Sequence, residues 1–345
     1  MPRDGGAGPP GAAGAEAGVA VTWRLLALPP LAPDVLEHLF GATALGADVE
    51  LVVPPERTQA AVDALLPDVD LVLGSWAHDV GLTHPGPRVC FVQQPAVGVD
   101  PIRTDAFTAA GVPVSNTAGA NTITVAEWVV GATLGLLRSV PEADAAVRRG
   151  EWPQTSLGGR ELAGSRVGVV GMGAIGRRVA TSFTGLGCDV SYWSRTPKDD
   201  APATYAELDD LVARSDVLVL VVALAEETRG LLDARRLALM PPGSLLVNAA
   251  RGAVVDEAAL ADALRSGTPA AAALDVFVRE PLPADSPLRD LPVLLSPHAA
   301  GSTQQSQARI FGASVANLRR VLAGEPVVDV VNGVEPVVRR RPHQP

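Results

Sequence analysis

Residues 166–178, RVGVVGMGAIGRR, join a strand-like apolar run to the turn Gly171-Met172-Gly173-Ala174-Ile175-Gly176 and then to a helical pattern. Few short stretches constrain a fold so tightly. Gly171 permits a sharp turn, Gly173 lets a bulky anion approach the backbone, and Gly176 allows the helix to pack closely on the strand. The first N–H groups of such a helix have no internal partners and sit at its partially positive end, so phosphate is the ligand this turn suits. A strand entering a helix through this turn belongs to a parallel α/β layer.

The surrounding sequence has that rhythm. From about Val21 to Val114, short β-rich runs (VTWRLLAL, VELVV, LVLG, RVCFVQ) alternate with helical segments such as APDVLEHLFGA and TQAAVDALL. A long helical pattern, NTITVAEWVVGATLGLLRSV, then reads as a connector between domains. Alternation restarts with six candidate strands: RVGVV, CDVSYWS, VLVLVV, SLLVN, AAALDV and VLLS. Six strands with crossover helices give a doubly wound parallel sheet. The last helical pattern, TQQSQARIFGASVANLRRVLAG, has no strand after it and is expected to return to the first domain. The fold expected is therefore α/β with two Rossmann-like domains. Residues 19–118 plus 302–334 form a discontinuous substrate domain, and residues 119–301 form a dinucleotide-binding domain that includes the connector helix. Residues 1–18, mostly Gly, Ala and Pro, read as a disordered extension without the apolar stretch of a signal peptide, and 335–345 read as a disordered tail.

Composition narrows the function. A net charge of -10 argues against a nucleic-acid surface, and the one basic cluster, Arg339 to Arg341, lies in a Pro-containing end expected to be solvated. The apolar run VLVLVVALA is less than half of the roughly 20 residues that a membrane helix needs, so a buried parallel strand explains it better. Cys90 and Cys188 have no ligand-like spacing, which fits a reduced cytoplasmic protein and gives no basis for a metal site.

The glycine turn in this context implies a dinucleotide, and the end of the following strand bears on which one. An acid there would hold a ribose 2'-hydroxyl, but the chain reads Trp193-Ser194-Arg195-Thr196-Pro197-Lys198, with no acid until Asp199. Arg195, helped by Ser194, Thr196 and Lys198, suits a 2'-phosphate instead, so NADP(H) is the expected cofactor, with NAD(H) as the alternative. Three later segments lie where strands of the same sheet end: NAARGAVVDEAAL, ALDVFVREPLP and SPHAAG. They carry Arg251, Glu280 and His298. Because the carboxyl ends of strands border the ligand crevice, a cation, an acid and an imidazole can converge beside a nicotinamide. Taken singly, each has a bland alternative: a surface ion-pair partner, a loop acid and a packing histidine.

These motifs, with VVGMGAIGRRVA and GVPVSNTAGANTITVAEWVVG, occur in the order and spacing of the D-isomer-specific 2-hydroxyacid dehydrogenases, which include glyoxylate/hydroxypyruvate reductases and phosphoglycerate dehydrogenases; the chain resembles that family from about Val21 to Val331. The resemblance implies that Arg251, Glu280 and His298 are the catalytic residues. It places Asp275 at the nicotinamide carboxamide, and Ala249, Ala250 and Gly301 beside the cofactor with Ala174 and Ile175. It also makes Ala96, Val97 and Gly98 a loop whose N–H groups take the substrate carboxylate together with Arg251 and His298, and it suggests a homodimer. Reduction of a 2-oxo acid puts negative charge on the carbonyl oxygen, which calls for a proton donor in reach. His298 would be that donor, Glu280 beside the ring would favour imidazolium, and Arg251 would grip carboxylate and carbonyl through its planar fork.

Two departures from the family pattern matter. Ala223-Leu224-Ala225-Glu226-Glu227-Thr228 stands where members often read PLTPET, which leaves the course of that loop open. Glu280, in place of an amide, argues against a formate dehydrogenase. The reaction expected is hydride transfer between nicotinamide and a small D-2-hydroxy or 2-oxo acid, run as a reductase. The alternatives are a dinucleotide-binding regulatory or scaffold protein, since fold does not fix function, and a dehydrogenase of phosphite-like oxyanions.

Overall fold

The computed structural model describes residues 22–77 and 79–341, so the extension expected over residues 1–18 lies outside the described residues. Two compact units divide the chain. One takes residues up to Gln93, Pro101–Ser115 and everything from Asn317; the other takes Gln94–Asp100 and Asn116–Ala316.

The first unit is built on a sheet of β1 (Trp23–Ala27), β2 (Val49–Val52), β3 (Leu71–Leu73), β4 (Phe91–Gln93) and β5 (Val114–Ser115), in the order β2-β1-β3-β4-β5. All pairings are parallel. Such strands are covered on both faces, which is why they read as continuous apolar runs. Leu26, Val72, Val92 and Val114 share one core with Phe107 and Val62. The two residues of β5 are too few to give a pattern, and sequence reading passes over them.

The second unit contains β6 (Arg166–Val170), β7 (Asp189–Trp193), β8 (Thr204–Tyr205), β9 (Val217–Leu220), β10 (Leu245–Asn248), β11 (Ala271–Leu274) and β12 (Val293–Leu295), in the order β12-β11-β10-β9-β6-β7-β8. All six expected strands are present, and two-residue β8 extends the edge beside β7. Alternation within the strands feeds two cores. Val217 and Val219 of β9 face one with Val179 and Phe183, whereas Leu218 and Leu220 face the other with Leu211 and Leu246. Each fully buried side chain of this size contributes about 1.5–3 kcal/mol, so the sheet is held from both sides. The order reverses between β6 and β9, and that switch point is where a doubly wound sheet opens a crevice at its strand ends.

Helix Thr122–Leu137, read from sequence as a connector, is instead part of this unit's core: its Val125, Val129 and Ala132 pack with Val179 and Phe183 of helix Ala174–Gly185. Ser139, at φ 48°, then turns the chain by 60° into helix Val140–Arg148. No single helix among the described residues is long and apolar enough to cross a membrane.

The chain returns to the first unit later than expected. Helix Gln304–Leu322 belongs to the second unit as far as Ala316, so the boundary moves from residue 302 to 317. Asn317 then anchors the return, donating to the Gln93 side chain at 2.9 Å and to the Val328 carbonyl at 3.0 Å.

The tail expected to be disordered from residue 335 is packed over its described part. Arg340 binds the fully buried Asp70 at 3.0 Å, which Arg88 also binds at 2.9 Å, and lies over the Trp23 ring. The basic cluster is therefore not simply a solvated end. A lone buried carboxylate is costly, and two guanidiniums offset that cost. Burial and the nearby Asp70 push the Cys90 thiol up to about 12, which keeps it protonated and unreactive.

Candidate active site

The glycine turn follows β6, and its three glycines have different reasons to be there. Gly171 has φ +105°, and a Cβ on it would come within 2.8 Å of the Val221 carbonyl beyond β9. A Cβ on Gly176 would collide with the Gly171 carbonyl. Both are demanded by the protein's own packing. A Cβ on Gly173, by contrast, would meet nothing within 4 Å. Gly173 and Ala174 are exposed at the start of helix Ala174–Gly185, whose N-terminus has no side-chain cap. Space in front of uncapped N–H groups fits a pyrophosphate, so these residues suit a dinucleotide. Ile175 is half-buried against the core and supports the turn more than it lines it.

Beyond β7 the loop is held by its own groups. The hydroxyl of buried Tyr192 accepts from the Lys198 N–H at 2.7 Å and donates to the Lys198 carbonyl at 3.2 Å. Ser194 donates its hydroxyl to the Thr196 carbonyl at 2.8 Å, so that hydrogen serves the loop and is not aimed at a ligand. Arg195, Thr196 and Lys198 are exposed, and Arg195 lies 3.9 Å from Glu227. The loop that departs from the family pattern is fixed by Thr228, whose hydroxyl accepts from Ala225 N–H at 2.7 Å and donates to the Ala223 carbonyl at 2.8 Å.

Arg251, Glu280 and His298 follow β10, β11 and β12, three neighbouring parallel strands, so the sheet delivers all three segments to one edge. Adjacent strands lie about 4.8 Å apart, which sets the spacing of the segments. Glu280 Oε2 is 2.8 Å from His298 Nδ1, while Glu280 Oε1 accepts from the Phe277 N–H at 3.0 Å. The acid is thus fixed by the backbone and the imidazole by the acid. Gly252 permits the arrangement, because a Cβ there would collide with the backbone of Phe277 and Val278. Asn248 at the end of β10 accepts from Ala250 N–H at 3.0 Å and donates to the Arg251 carbonyl at 3.2 Å, closing the turn that presents Arg251. Ala249 donates its N–H to Leu220 and Ala250 is buried.

Arg251 has a partner that sequence reading missed. Its Nε and Nη2 donate to Asp100 Oδ2 at 3.1 and 2.8 Å, and Nη1 donates to the Ala250 carbonyl at 2.6 Å. Asp100 ends the loop Ala96-Val97-Gly98, and a Cβ on Gly98 would collide with the Arg251 guanidinium. That loop is braced by Asn116, which donates to the Val97 carbonyl at 2.7 Å, and by Ala96 accepting from Thr117. Gly98 therefore serves close approach by the protein's own arginine.

Asp275, expected at a nicotinamide carboxamide, has both carboxylate oxygens engaged by backbone N–H groups of the histidine loop. It is 2% exposed, and its two carboxylate oxygens accept from Ala299 N–H at 2.7 Å and Ala300 N–H at 2.9 Å. Its carbonyl accepts from His298 N–H at 2.8 Å. Here Asp275 clamps the histidine loop. His298 has φ 55°, a left-handed conformation uncommon for any residue but glycine, and these bonds hold it there. Gly301 completes the loop by passing close to the Asn121 amide, 2.8 Å from where a Cβ would sit.

The arrangement joins an anion-binding turn to an acid-braced imidazole and an arginine on the strand ends of one sheet. Comparison with known proteins agrees with it. Residues 130–300 match the model of the D-isomer specific 2-hydroxyacid dehydrogenase NAD-binding domain. D-3-phosphoglycerate dehydrogenase of Mycobacterium leprae is 41% identical over 301 residues, covering 84% of this chain and 56% of that protein. The chain thus spans about half the length of such relatives. Glyoxylate reductase of Aeropyrum pernix is 40% identical over 266 residues, covering 74% of this chain and 79% of that one. In structure, a glyoxylate reductase from Paecilomyes thermophila superposes with a TM-score of 0.81 at 29% identity, covering 90% of this chain and 98% of the other. The protein belongs to the D-isomer specific 2-hydroxyacid dehydrogenase family.

Proposed function

We propose that the protein reduces a small 2-oxo acid to its D-2-hydroxy acid by stereospecific hydride transfer, with NADP(H) preferred and NAD(H) accepted. The observation that carries this reading is the 2.8 Å contact between Glu280 and His298 Nδ1, on the sheet whose switch point holds the glycine turn. The reduced nicotinamide, when bound, supplies the hydride. Gly173 and Ala174 at the helix N-terminus receive its pyrophosphate, with Gly171 and Gly176 shaping the turn, and Arg195 with Thr196 and Lys198 receives the 2'-phosphate. The relationship to the glyoxylate reductase of Aeropyrum pernix supports the substrate class, as does the solved NADPH-dependent glyoxylate/hydroxypyruvate reductase of Sinorhizobium meliloti, at a TM-score of 0.80 and 29% identity.

In this reading Arg251 binds the substrate carboxylate and polarises the C2 carbonyl, with the N–H groups of Ala96, Val97 and Gly98 holding the carboxylate's far side. His298, doubly protonated with Nδ1–H directed to Glu280, delivers the Nε2 proton to the carbonyl oxygen as C2 receives hydride. Carbonyl C–O π electrons become the new O–H bond, the hydride pair becomes the C–H bond, and His298 is left neutral. Glu280 accepts from Nδ1–H and stabilises the imidazolium before transfer.

Val140, Val147 and Trp152 are exposed by 54, 51 and 78%, and the two valines lie on one face of their helix, which supports a homodimer burying this surface. The two cysteines, free and buried, fit a reducing compartment such as the cytoplasm. The test of function is to follow oxidation of NADPH and NADH against glyoxylate, hydroxypyruvate, pyruvate and bulkier 2-oxo acids, with phosphite as an alternative reductant of the oxidised cofactors. Turnover is expected with at least one 2-oxo acid. Cofactor binding without turnover on any of these would replace the enzyme by a dinucleotide-binding regulator.

A further inference from the structure

We propose that Glu227 sets cofactor selectivity: it competes with a 2'-phosphate for Arg195 and supplies the carboxylate for a ribose 2'-hydroxyl that the end of β7 lacks. The inference rests on the reading above that the 2' end of the dinucleotide lies at Arg195. In the family fold, an acid at the end of the second strand accepts from the 2'-hydroxyl, and an arginine there instead takes the phosphate. This chain has the arginine in that position, and a carboxylate reaches it from the loop after β9.

Both sides are anchored. The Arg195 loop is held through Tyr192 and Lys198, and the Glu227 loop through Thr228, which is 1% exposed. Arg195 Nη1 and Glu227 Oε2 face each other at 3.9 Å, with side chains 62 and 69% exposed. A pair so exposed adds little to stability, so its consequence lies with a ligand placed between the two groups. Of the acids that follow β7 in sequence, Asp200 is taken by Arg177 at 2.6 Å, and Asp199 lies beyond Pro197 and the Tyr192 clamp. Glu227 is the carboxylate that the structure pairs with Arg195. A 2'-phosphate gains Arg195 but meets the charge of Glu227, whereas a 2'-hydroxyl can donate to Glu227. Selectivity is thereby kept moderate, and both cofactors are admitted.

The experiment measures binding of NADPH and NADH to the full chain by fluorescence titration, for the wild type, Glu227→Gln and Arg195→Gln. Glu227→Gln is expected to tighten NADPH about fivefold, the ratio carried by one unit repulsion near 4 Å in water. It should weaken NADH about threefold through loss of a charged acceptor. The gain for NADPH should shrink as salt is raised, because an exposed pair is screened. If Arg195→Gln weakens NADPH while Glu227→Gln changes neither cofactor, the role of Glu227 is overturned and the site at Arg195 stands. If Arg195→Gln leaves NADPH binding unchanged, the 2' end lies elsewhere and both are overturned.

Discussion

His298 and Arg251 each meet a carboxylate, and the two pairs differ in what they leave for a substrate. Glu280 meets Nδ1 of the ring, so the pairing directs charge to the imidazole, while Nε2 is the nitrogen assigned to the reaction in the proposed mechanism. Asp100 takes two of the three guanidinium nitrogens, the fork by which an arginine would hold a substrate carboxylate. In the proposed mechanism one acid prepares its partner, whereas the other occupies it. Charge pairing at an active site can therefore activate or compete, and the atoms engaged decide which.

The largest expected effect is at the prepared pair. His298→Asn should lower kcat by about 10² to 10⁴ with binding of NAD(P)H retained, measured by steady-state rates and cofactor titration. A loss under tenfold would show that the proton comes from elsewhere, and the contrast between the two pairs would break.

Asp100→Asn sharpens the other side. Both bonds go to one oxygen, so the amide can keep the geometry but not the charge, and Arg251 is held less firmly and freed toward substrate. The expected outcome is a kcat lowered about tenfold, in line with loss of a charge-assisted bond, with KM for the acid unchanged or lower. A raised KM with unchanged kcat would mean that Asp100 shapes the entry loop and does not compete for the guanidinium.

Smaller effects are expected at Asp275, which supports the prepared pair from below. Asp275→Asn leaves one of two backbone N–H groups without its charged acceptor, costing about 1–3 kcal/mol in stability by thermal denaturation. Turnover should fall several-fold as the His298 loop loosens, with KM for cofactor steady. An unchanged Tm with a raised cofactor KM would restore Asp275 to the carboxamide.

What could be read from sequence follows the range of the interactions. The glycine turn and the six longer strands of the second unit are local patterns, fixed by steric demands over a few residues, and they were legible. Two-residue strands such as Val114–Ser115 and Thr204–Tyr205 carry no period to detect. The Glu280–His298 pair spans 18 residues and was expected from linked motifs, whereas the Arg251–Asp100 pair spans 151 and had no local signal. Arg340 meets Asp70 across 270 residues, so its cluster read as a solvated end. Asp275 shows a different limit. An aspartate ending a strand suits a ligand contact and can equally receive the next loop's N–H groups, and residue identity does not separate the two.

Glu280→Gln tests the proton-donor pair most directly, because it keeps the shape of the contact with His298 and removes only the charge. Single-turnover reduction with saturating cofactor and acid should slow by about ten- to a hundredfold, the loss expected when a charged hydrogen-bond partner is removed, with cofactor binding retained. A single-turnover rate equal to that of the wild type would contradict the assignment of His298 as an acid-supported proton donor.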